Sequence, residues 1–462
     1  MTEKARGALR KLYESTLGVW KTGRSSVTRT GYKPIARPHI PAAPTGHGTI
    51  LFQFRPPNRV LPASGIEAPE RRRFLSLNML PLDIIGASNI QHPALTDGMN
   101  KKSMKILHVC ETAIGGVSTY LQNFDSHTPD RVSNVFLFPM GHAQGLPESM
   151  SYSTFSSEKR SLKSICNMLA LSRRMLRETK PDIVFFHSTF SLAALAFLRL
   201  TGWRGKAVYV AHSWAISRYE NKEEFKARCV RLIEGNLCGL ADLVLNIGRS
   251  DERLARTLGY KGIHKTLENA VIPAERLAQA VDRPSIDPTK LNLLFVGRFD
   301  RQKGLDILLN AFRRATELRS DLALHVVGAK VRNDGGDISI PDGVSLSGWA
   351  EKSSMDSWYS NADALIVPSR WEGLPLVIPE AQRNGTPVIC SRRSAMEELI
   401  EDQVSGYSFE LTEDDLFELL VSLRKSSLQK MRSDALKSYE RDFTIEVWRE
   451  KLAVILDEII DG

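Results

Sequence analysis

The chain has 462 residues, 42% of them hydrophobic and 25% charged, and a formal net charge of +9 at pH 7. This length predicts two or more domains, and the composition is that of an ordinary soluble globular protein rather than a fibrous or disulfide-rich one. The five cysteines form no Cys-x-x-Cys pair, and no secretory signal pattern opens the sequence. Reduced thiols in the cytoplasm are therefore expected.

Residues 1–103 differ from the rest of the chain. They hold ten of the 22 prolines, and 16 Lys and Arg against 6 Asp and Glu. Such a basic, Pro-rich extension has too little apolar periodicity to offset its ordering entropy, so disorder is expected. A strand pattern begins abruptly at Met104, and one hypothesis is that translation starts there. Mass spectrometry of the natural N-terminus tests it, and a peptide from residues 1–100 would contradict it.

From Met104 onward, apolar strand patterns alternate with helical ones, which predicts parallel sheets of the doubly wound type. We expect an N-terminal domain at 104–272, a linker at 273–290 and a C-terminal domain at 291–443. Ligands of such sheets bind at the carboxyl ends of the strands, here in a cleft between the domains. The predicted strands are Ile106–Cys110, Asn134–Phe138, Ile183–Phe186, Ala207–Ala211, Leu243–Asn246, Leu291–Val296, Ala323–Val327, Val344–Leu346, Ala364–Val367 and Val388–Cys390.

Charge divides along the chain. Residues 104–270 hold 22 Lys and Arg against 15 Asp and Glu, whereas residues 271–462 hold 24 against 32. Because the net charges of these two parts differ in sign, we expect the protein to have one face turned toward an anionic partner. The stretch Glu158–Lys180 has the pattern of a basic amphipathic helix, which suits either an anionic membrane surface or an ordinary solvated face. Its basic residues are Lys159, Arg160, Lys163, Arg173, Arg174, Arg177 and Lys180.

Two glutamates mark the second half of the chain. A buried strand ending before Pro368 leads to a loop with Glu372, and a helix follows with Pro379 and Glu380 in its first turn and Gly385 as its C-terminal cap. A carboxylate accepts two hydrogen bonds side by side, which suits the vicinal diol of a ribose or a hexose. The alternative for Glu380 is that it only complements the helix dipole.

A second motif follows the strand Leu291–Val296. It reads Gly297-Arg298-Phe-Asp-Arg-Gln-Lys303-Gly304 and precedes a helix predicted at about 305–318. Gly297 allows close backbone approach, and Arg298 and Lys303 can place cationic donors on a diphosphate near the helix start. The alternative is a pair of solvated loop cations.

Two weaker signals occur in the first half. The first strand ends in a turn with Gly115 and Gly116, which is not Gly-x-Gly-x-x-Gly and so gives little support to a dinucleotide site; a turn without ligand fits equally well. His212 directly follows a strand and could bond a sugar hydroxyl or be structural.

No metal site is predicted. No two aspartates are separated by a single residue, so the short acidic triplet that would hold a divalent ion against a diphosphate is missing. Charge neutralisation would then fall to Arg298, Lys303 and helix N-termini.

Together, Gly297-Arg298 with Lys303-Gly304, and Glu372-Gly373-Leu-Pro with Glu380, resemble the retaining glycosyltransferases of the family 4 type over about residues 104–460. The resemblance implies an α/β GT-B fold, in which two Rossmann-like doubly wound domains face an interdomain cleft. It also implies that a final helix within 444–462 crosses back to the N-terminal domain. The run after Glu380 lacks the family's usual small residues, which puts helix packing in doubt.

The resemblance also implies residue roles. Arg298 and Lys303 would bind the donor diphosphate, with Gly297 beside them, and Glu372 would contact the donor sugar. Further implied contacts are Glu380 with the ribose, the amides of Gly373 and Leu374 with sugar or phosphate, Gly115 and Gly116 with phosphates and acceptor, and His212 with the donor sugar. The implied catalytic residues are Arg298, Lys303, Glu372 and His212.

The implied activity is metal-independent, cofactor-free transfer of a hexose from a nucleotide diphosphate sugar, with retained anomeric configuration. The acceptor would be a glycan or lipid-linked glycan of lipopolysaccharide or exopolysaccharide biosynthesis, with the protein in the cytoplasm or peripheral on the inner membrane face and no nucleic acid as partner. Two alternatives stay open: a nucleotide-sugar epimerase or hydrolase of the same fold, and a non-catalytic partner subunit.

Overall fold

The computed structural model describes residues 103–461, except 144–145, 148, 157–160, 220–223, 274–285, 331–338 and 394. Three sequence predictions therefore fall wholly or mainly outside the described residues. They are the extension at 1–103, the first turn of the basic helix at 158–160 and most of the linker at 273–290.

The first sheet has seven strands in the order β3-β2-β1-β4-β5-β6-β7, and every described pairing is parallel. The strand order reverses at β1, so the crevice between β1 and β4 is where a doubly wound sheet takes its ligand. The strands are β1 (Met104–Cys110), β2 (Val132–Pro139), β3 (Tyr152–Phe155), β4 (Ile183–His187), β5 (Lys206–Ala211), β6 (Leu243–Asn246) and β7 (His264–Thr266), and the helices are α1 (Gly116–His127), α2 (Leu162–Thr179), α3 (Ser191–Leu200), α4 (Phe225–Leu237) and α5 (Arg249–Thr257).

The second sheet has six strands in the order β10-β9-β8-β11-β12-β13, again parallel throughout the described pairings. Its order reverses at β8, which places the corresponding crevice between β8 and β11. The strands are β8 (Leu291–Val296), β9 (Leu322–Val327), β10 (Val344–Leu346), β11 (Ala364–Val367), β12 (Val388–Ser391) and β13 (Gly406–Phe409), and the helices are α6 (Leu305–Leu318), α7 (Lys352–Asn361), α8 (Val377–Arg383), α9 (Glu413–Ser422), α10 (Lys425–Asp442) and α11 (Ile445–Asp461).

The predicted α/β class with two doubly wound parallel sheets is confirmed. All ten predicted strands are present: four have the predicted bounds, five are one or two residues longer, and β2 is three residues longer. Among the described residues, three strands were not predicted: β3, β7 and β13. Each lies at a sheet edge and contains polar residues, so none has the continuous apolar run that marks a strand buried on both faces.

The last helix, α11, packs against the first sheet. Trp448, Leu452 and Leu456 are buried in the same apolar core as Ile106 and Phe124. The rings of Phe124 and Trp448 meet edge to face, with centroids 5.1 Å apart. We therefore call the first sheet with its helices and α11 the N-terminal lobe, and the second sheet with its helices the C-terminal lobe.

The chain passes between the lobes at two adjacent points. The amide of Val271 donates to the carbonyl of Phe443 at 2.9 Å, and the hydroxyl of Tyr439 donates to the carbonyl of Val271 at 2.8 Å. Leu374 packs into the same small apolar cluster. The crossing is thus connected directly to the segment that carries the glutamate motif.

Candidate active site

The predicted cation and carboxylate meet at the crevice of the second sheet. Lys303 follows β8 and Glu372 follows β11, and Nζ of Lys303 lies 2.7 Å from Oε1 of Glu372. Both side chains are largely buried, with 16% and 9% exposed. Gly304 makes the approach of the two loops possible, since it has φ 69° and a Cβ there would lie 1.9 Å from the carbonyl oxygen of Pro368.

Gln302 completes the fixation of Glu372. Its amide nitrogen donates to the carbonyl of Trp371 at 3.0 Å and to Oε2 of Glu372 at 3.3 Å. Both carboxylate oxygens of Glu372 therefore have a donor, and the side chain is held in one orientation. Gln302 was not predicted as a site residue, although its place beside Lys303 was the available signal.

Arg298 is the more open of the two predicted cations. Its side chain is 36% exposed, with Nη2 3.2 Å from a carboxylate oxygen of Asp300 and 3.4 Å from Oε1 of Gln302. Gly297 packs closely against β9, because a Cβ on Gly328 would lie 1.9 Å from the carbonyl oxygen of Gly297. The base of the loop is thus closely packed, while the guanidinium of Arg298 is partly exposed to solvent.

Glu380 lies in the first turn of α8, as predicted, and it contacts Tyr359, which was not predicted as a site residue. The hydroxyl of Tyr359, on α7, donates to Oε2 of Glu380 at 2.8 Å. Burial, and then the nearby carboxylate of Glu380, raise the pKa of Tyr359 well above its usual value. The phenol stays protonated and holds one carboxylate oxygen of Glu380 in place.

The glutamate loop touches the N-terminal lobe at Gly373. A Cβ built on Gly373 would lie 2.9 Å from the Cβ of Ser213 and 2.9 Å from Cδ1 of Ile247. Within the described ranges, the amide N–H groups of Gly373 and Leu374 donate to no protein acceptor. The contact therefore brings the segment after His212 against the loop after Glu372, as a shared site requires.

The Gly115-Gly116 turn precedes α1 and is exposed. Gly115 has φ 61°, and the preceding backbone is anchored where the amide of Ala113 donates to Nδ1 of His142 at 3.2 Å. A Cβ on Gly116 would lie 3.8 Å from Cδ1 of Leu376, across the crevice. His142 was not predicted as a site residue, because it follows β2 without any recognisable motif.

His212 is the last member of a buried hydrogen-bonded chain. Nε2 of His108 lies 3.1 Å from Oδ1 of Asn134, Nδ1 of His108 lies 3.0 Å from Nε2 of His187, and Nδ1 of His187 lies 3.0 Å from Nε2 of His212. These four residues come from the neighbouring strands β2, β1 and β4 and from the end of β5. Burial lowers the pKa of His108 and His212 to about 3 and that of His187 well below its usual value, so all three imidazoles are neutral.

Two buried carboxylates support the segment that follows His212. Glu234, on α4, accepts from the hydroxyl of Thr189 at 2.7 Å and from the amide of Ala215 at 3.1 Å. Asp251, on α5, accepts from the backbone of Ser213. Burial raises the pKa of both carboxyl groups to about 7, outweighing the hydrogen bonds that favour their charged forms.

We expect the buried carboxyl groups of Glu234 and Asp251 to make the protein less stable as the pH rises from about 4.5 to 7. For Glu234, the folded-state pKa of about 7 lies above the ordinary value of 4.5. The folded state therefore binds more protons than the unfolded state within that window, and the free energy of unfolding falls by roughly 3 kcal/mol as the pH passes through it. Urea unfolding across the window measures the fall, which should shrink in Glu234→Gln but not in Glu178→Gln, an exposed control. Equal slopes in the two variants would contradict the assignment.

The described residues also bear on metal binding and on the spanning of a membrane. Among the described residues, no cluster of three or more His, Cys, Asp or Glu side chains is arranged to hold a metal ion. Within the same part of the chain, the helices are too short or too polar to cross a bilayer.

Two doubly wound sheets that share a site at their carboxyl edges define the GT-B class of glycosyltransferases. The family model described as Glycosyl transferases group 1 matches residues 279–438, and the model described as Glycosyltransferase Family 4 matches residues 114–271. Together the two matches span most of both lobes. The chain belongs to the group 1, family 4 type glycosyltransferases.

Curated relatives and solved structures agree with this assignment. An uncharacterized 41.2 kDa protein in the cps region of Klebsiella pneumoniae is 27% identical over 313 residues, covering 66% of this chain and 85% of that protein. The amylovoran biosynthesis glycosyltransferase AmsK of Erwinia amylovora is 29% identical over 250 residues, covering 49% of this chain and 57% of AmsK. The structure of Anabaena HepE in complex with UDP superimposes with a TM-score of 0.60 at 16% identity, over 77% of this chain and 100% of HepE. At that identity, the superposition shows the shared fold alone.

Proposed function

We propose that this chain transfers a hexose from a nucleotide diphosphate sugar to a glycan or lipid-linked acceptor during biosynthesis of a cell-surface polysaccharide. The observation that carries the proposal is the Lys303–Glu372 pair at the crevice between β8 and β11, with Arg298 beside it. This arrangement places cations for a diphosphate next to a fixed carboxylate for hydroxyl groups. The cps and amylovoran relatives support the polysaccharide context, and the UDP complex of HepE supports a nucleotide donor.

Each predicted site residue has a role in this proposal. Arg298 and Lys303 bind the diphosphate beside Gly297, and Glu372 binds hydroxyls of the sugar. Glu380, oriented by Tyr359, binds the ribose. The remaining contacts are the amides of Gly373 and Leu374 with sugar or phosphate, the Gly115-Gly116 turn with phosphate and acceptor, and His212 with the sugar.

The proposed reaction retains the anomeric configuration without an enzymic nucleophile. The bond from the anomeric carbon to the diphosphate oxygen breaks, and a bond to the acceptor oxygen forms on the same face. The acceptor proton passes to a departing phosphate oxygen. The protein's part is to stabilise the charge that develops on the diphosphate, and Arg298 and Lys303 are the groups placed to do so.

A panel of nucleotide sugars tests the donor. The donor should raise the melting temperature, because binding to the folded state adds RT ln(1 + [L]/Kd), about 2.7 kcal/mol at one hundred times Kd. With that donor, release of nucleoside diphosphate should depend on an added acceptor, and NMR of the product should show a retained anomer. Release of nucleoside diphosphate without an acceptor would support a hydrolase. Formation of a new sugar epimer would support an epimerase, and donor binding without turnover would support a non-catalytic partner subunit.

We propose that transfer needs no metal, because Arg298 and Lys303 supply the positive charge that a divalent ion would otherwise bring to the diphosphate. Activity should therefore be unchanged after dialysis against a chelator, and added magnesium should not increase it. The measurement is the initial rate of nucleoside diphosphate release. A loss on chelation that magnesium or manganese restores would contradict the proposal.

We also propose that α2 binds an anionic membrane surface, which would place the protein at the inner face of the membrane. The exposed face of the helix carries Lys163, Arg173, Arg174 and Arg177, whereas Met168 and other apolar residues face the core. Each cation near an anionic surface contributes about 1 kcal/mol.

The pair of changes Arg173→Gln and Arg177→Gln should therefore weaken binding to anionic liposomes roughly 30-fold. Co-sedimentation with anionic and with neutral liposomes measures this. The matched control, Lys430→Gln with Lys437→Gln on α10, removes two exposed cations of the C-terminal lobe and should change binding little. Equal losses in both double variants would indicate attraction by net charge and contradict a role of α2.

A further inference from the structure

The direction of the Asn134–His108–His187–His212 chain is fixed at its buried end. The amide nitrogen of Asn134 donates to the carbonyl of Phe124 at 2.7 Å and to the hydroxyl of Thr128 at 3.0 Å. That hydroxyl itself donates to the same carbonyl at 2.9 Å. Since a carbonyl oxygen only accepts, the NH₂ group of Asn134 must face it, and Oδ1 must face His108.

The tautomer of each histidine follows from its neighbour. Oδ1 of Asn134 can only accept, so Nε2 of His108 carries the proton, and Nδ1 of a neutral His108 is then an acceptor. By the same step, Nε2 of His187 donates to Nδ1 of His108, and Nε2 of His212 donates to Nδ1 of His187. The neutral state of all three rings agrees with the burial that lowers their pKa values. The remaining nitrogen, Nδ1 of His212, carries a lone pair.

We propose that Asn134, His108 and His187 are positioning residues that fix His212 as the Nε2-protonated tautomer, so that its Nδ1 accepts a hydrogen bond from a hydroxyl of the donor sugar. The ring of His212 keeps partial exposure, and within the described residues its Nδ1 has no partner. The next residue, Ser213, contacts Gly373 in the glutamate loop. The identity of the bonded hydroxyl as part of a sugar rests on the proposed function, whereas the tautomer does not.

The opposite tautomer would change what the site recognises. With a proton on Nδ1, His212 would be a donor and would suit an oxygen that only accepts, such as a phosphate oxygen. With a lone pair on Nδ1, His212 requires a hydrogen-bond donor as its partner, and a hydroxyl group is such a donor. Buried polar groups on the strands of the N-terminal lobe thus decide whether His212 donates a hydrogen bond to the ligand or accepts one.

NMR of the full chain labelled with ¹⁵N-histidine reads the tautomers directly, because the protonated and unprotonated ring nitrogens resonate far apart and differ in their couplings to ring protons. In the ligand-free wild-type protein, His108, His187 and His212 should each give the pattern of a single Nε2-protonated tautomer. Single variants assign the signals. An Nδ1-protonated His212, or a positively charged one at pH 7, would overturn the proposal.

The variant His108→Phe tests whether the hydrogen bonds from Asn134 through His108 and His187 set the tautomer of His212. Phenylalanine suits the surroundings of His108, which stacks on Phe136 and meets Phe124 edge to face. It removes the acceptor for His187, so both tautomers of His212 should appear. The matched control is His325→Phe, which removes the buried His325–Asn292 hydrogen bond of the C-terminal lobe and should leave His212 unchanged. A single Nε2-protonated His212 in His108→Phe would overturn the positioning role, and the wild-type spectrum still decides the tautomer if this variant does not fold.

Two substitutions of His212 test the hydroxyl contact. Glutamine can keep a donor near the position of Nε2, facing His187, but offers no acceptor at the position of Nδ1. Asparagine can place an acceptor there but does not reach His187. With the donor found in the panel, kcat/KM should fall about tenfold or more in His212→Gln and less in His212→Asn. The reverse order would overturn the contact. If the wild-type protein transfers no sugar at all, the proposed function fails while the NMR result still stands.

Discussion

Replacing Lys303 by alanine is expected to lower kcat by roughly 30- to 1,000-fold, which corresponds to about 2–4 kcal/mol of lost transition-state stabilisation. The same range applies to Arg298→Ala. Both cations follow β8 at the crevice of the second sheet, where the proposed reaction develops charge on the departing diphosphate. Steady-state rates of nucleoside diphosphate release measure the effect.

A loss of stability and a loss of catalytic function can be separated by comparing Lys303 with Arg298. Lys303→Ala removes a partner of the buried Glu372, so part of its effect could come from lost stability. Arg298 is more exposed, and its buried partner Asp300 also accepts a hydrogen bond from the amide of Lys303, so Arg298→Ala should lower the melting temperature less than Lys303→Ala does. Arg301→Ala, an exposed cation in the same turn, is the control and should retain activity within about twofold. Unchanged turnover in Arg298→Ala would contradict its assignment to the diphosphate.

The two glutamates should give different kinetic results. Glu380→Ala is expected to raise the Kd of the donor by roughly 10- to 150-fold with a smaller effect on kcat, because a ribose contact is the same in the ground state and the transition state. Glu372→Ala should weaken binding and also lower kcat, because Glu372 is proposed to contact the reacting sugar and it accepts a hydrogen bond from Lys303. Donor titration by calorimetry and single-turnover rates separate the two effects.

Tyr359→Phe is the matched test of Glu380. It removes the hydroxyl that holds Oε2 but leaves the carboxylate, so donor binding should weaken less than in Glu380→Ala. Glu380→Gln keeps the shape of the side chain and one acceptor oxygen, so its loss of donor affinity should lie between those of Tyr359→Phe and Glu380→Ala. Full loss of turnover with unchanged donor affinity in Glu380→Ala would exclude its assignment to the ribose.

The fold was largely predictable because the central strands are continuous apolar runs. Strands such as Leu243–Asn246 and Ala364–Val367 are buried on both faces, and the structure places them where the sequence does. The edge strands β3, β7 and β13 were missed because short polar segments pair there through backbone groups, which leave no pattern in the side chains.

Only those residues of the candidate site that lie in local sequence motifs were predictable. Lys303 and Glu372 were found because each lies in a local motif after a strand. Gln302, Tyr359 and His108 act through contacts with residues 21 to 79 positions away, and no spacing in the sequence announces such contacts. His108 reads as one residue within an apolar strand, and its role depends on His187 from a strand that pairs with its own.

The packing of α11 has a consequence for how the chain is made. Trp448, Leu452 and Leu456 complete the core of a lobe whose first strand begins at Met104, more than 340 residues earlier. During synthesis, the N-terminal lobe would thus expose an apolar face until the whole C-terminal lobe and α11 have left the ribosome. A gene fragment ending before residue 444 should yield an aggregation-prone product, even though it encodes both complete sheets. The N-terminal lobe is therefore completed only by a helix that follows the whole C-terminal lobe in the chain.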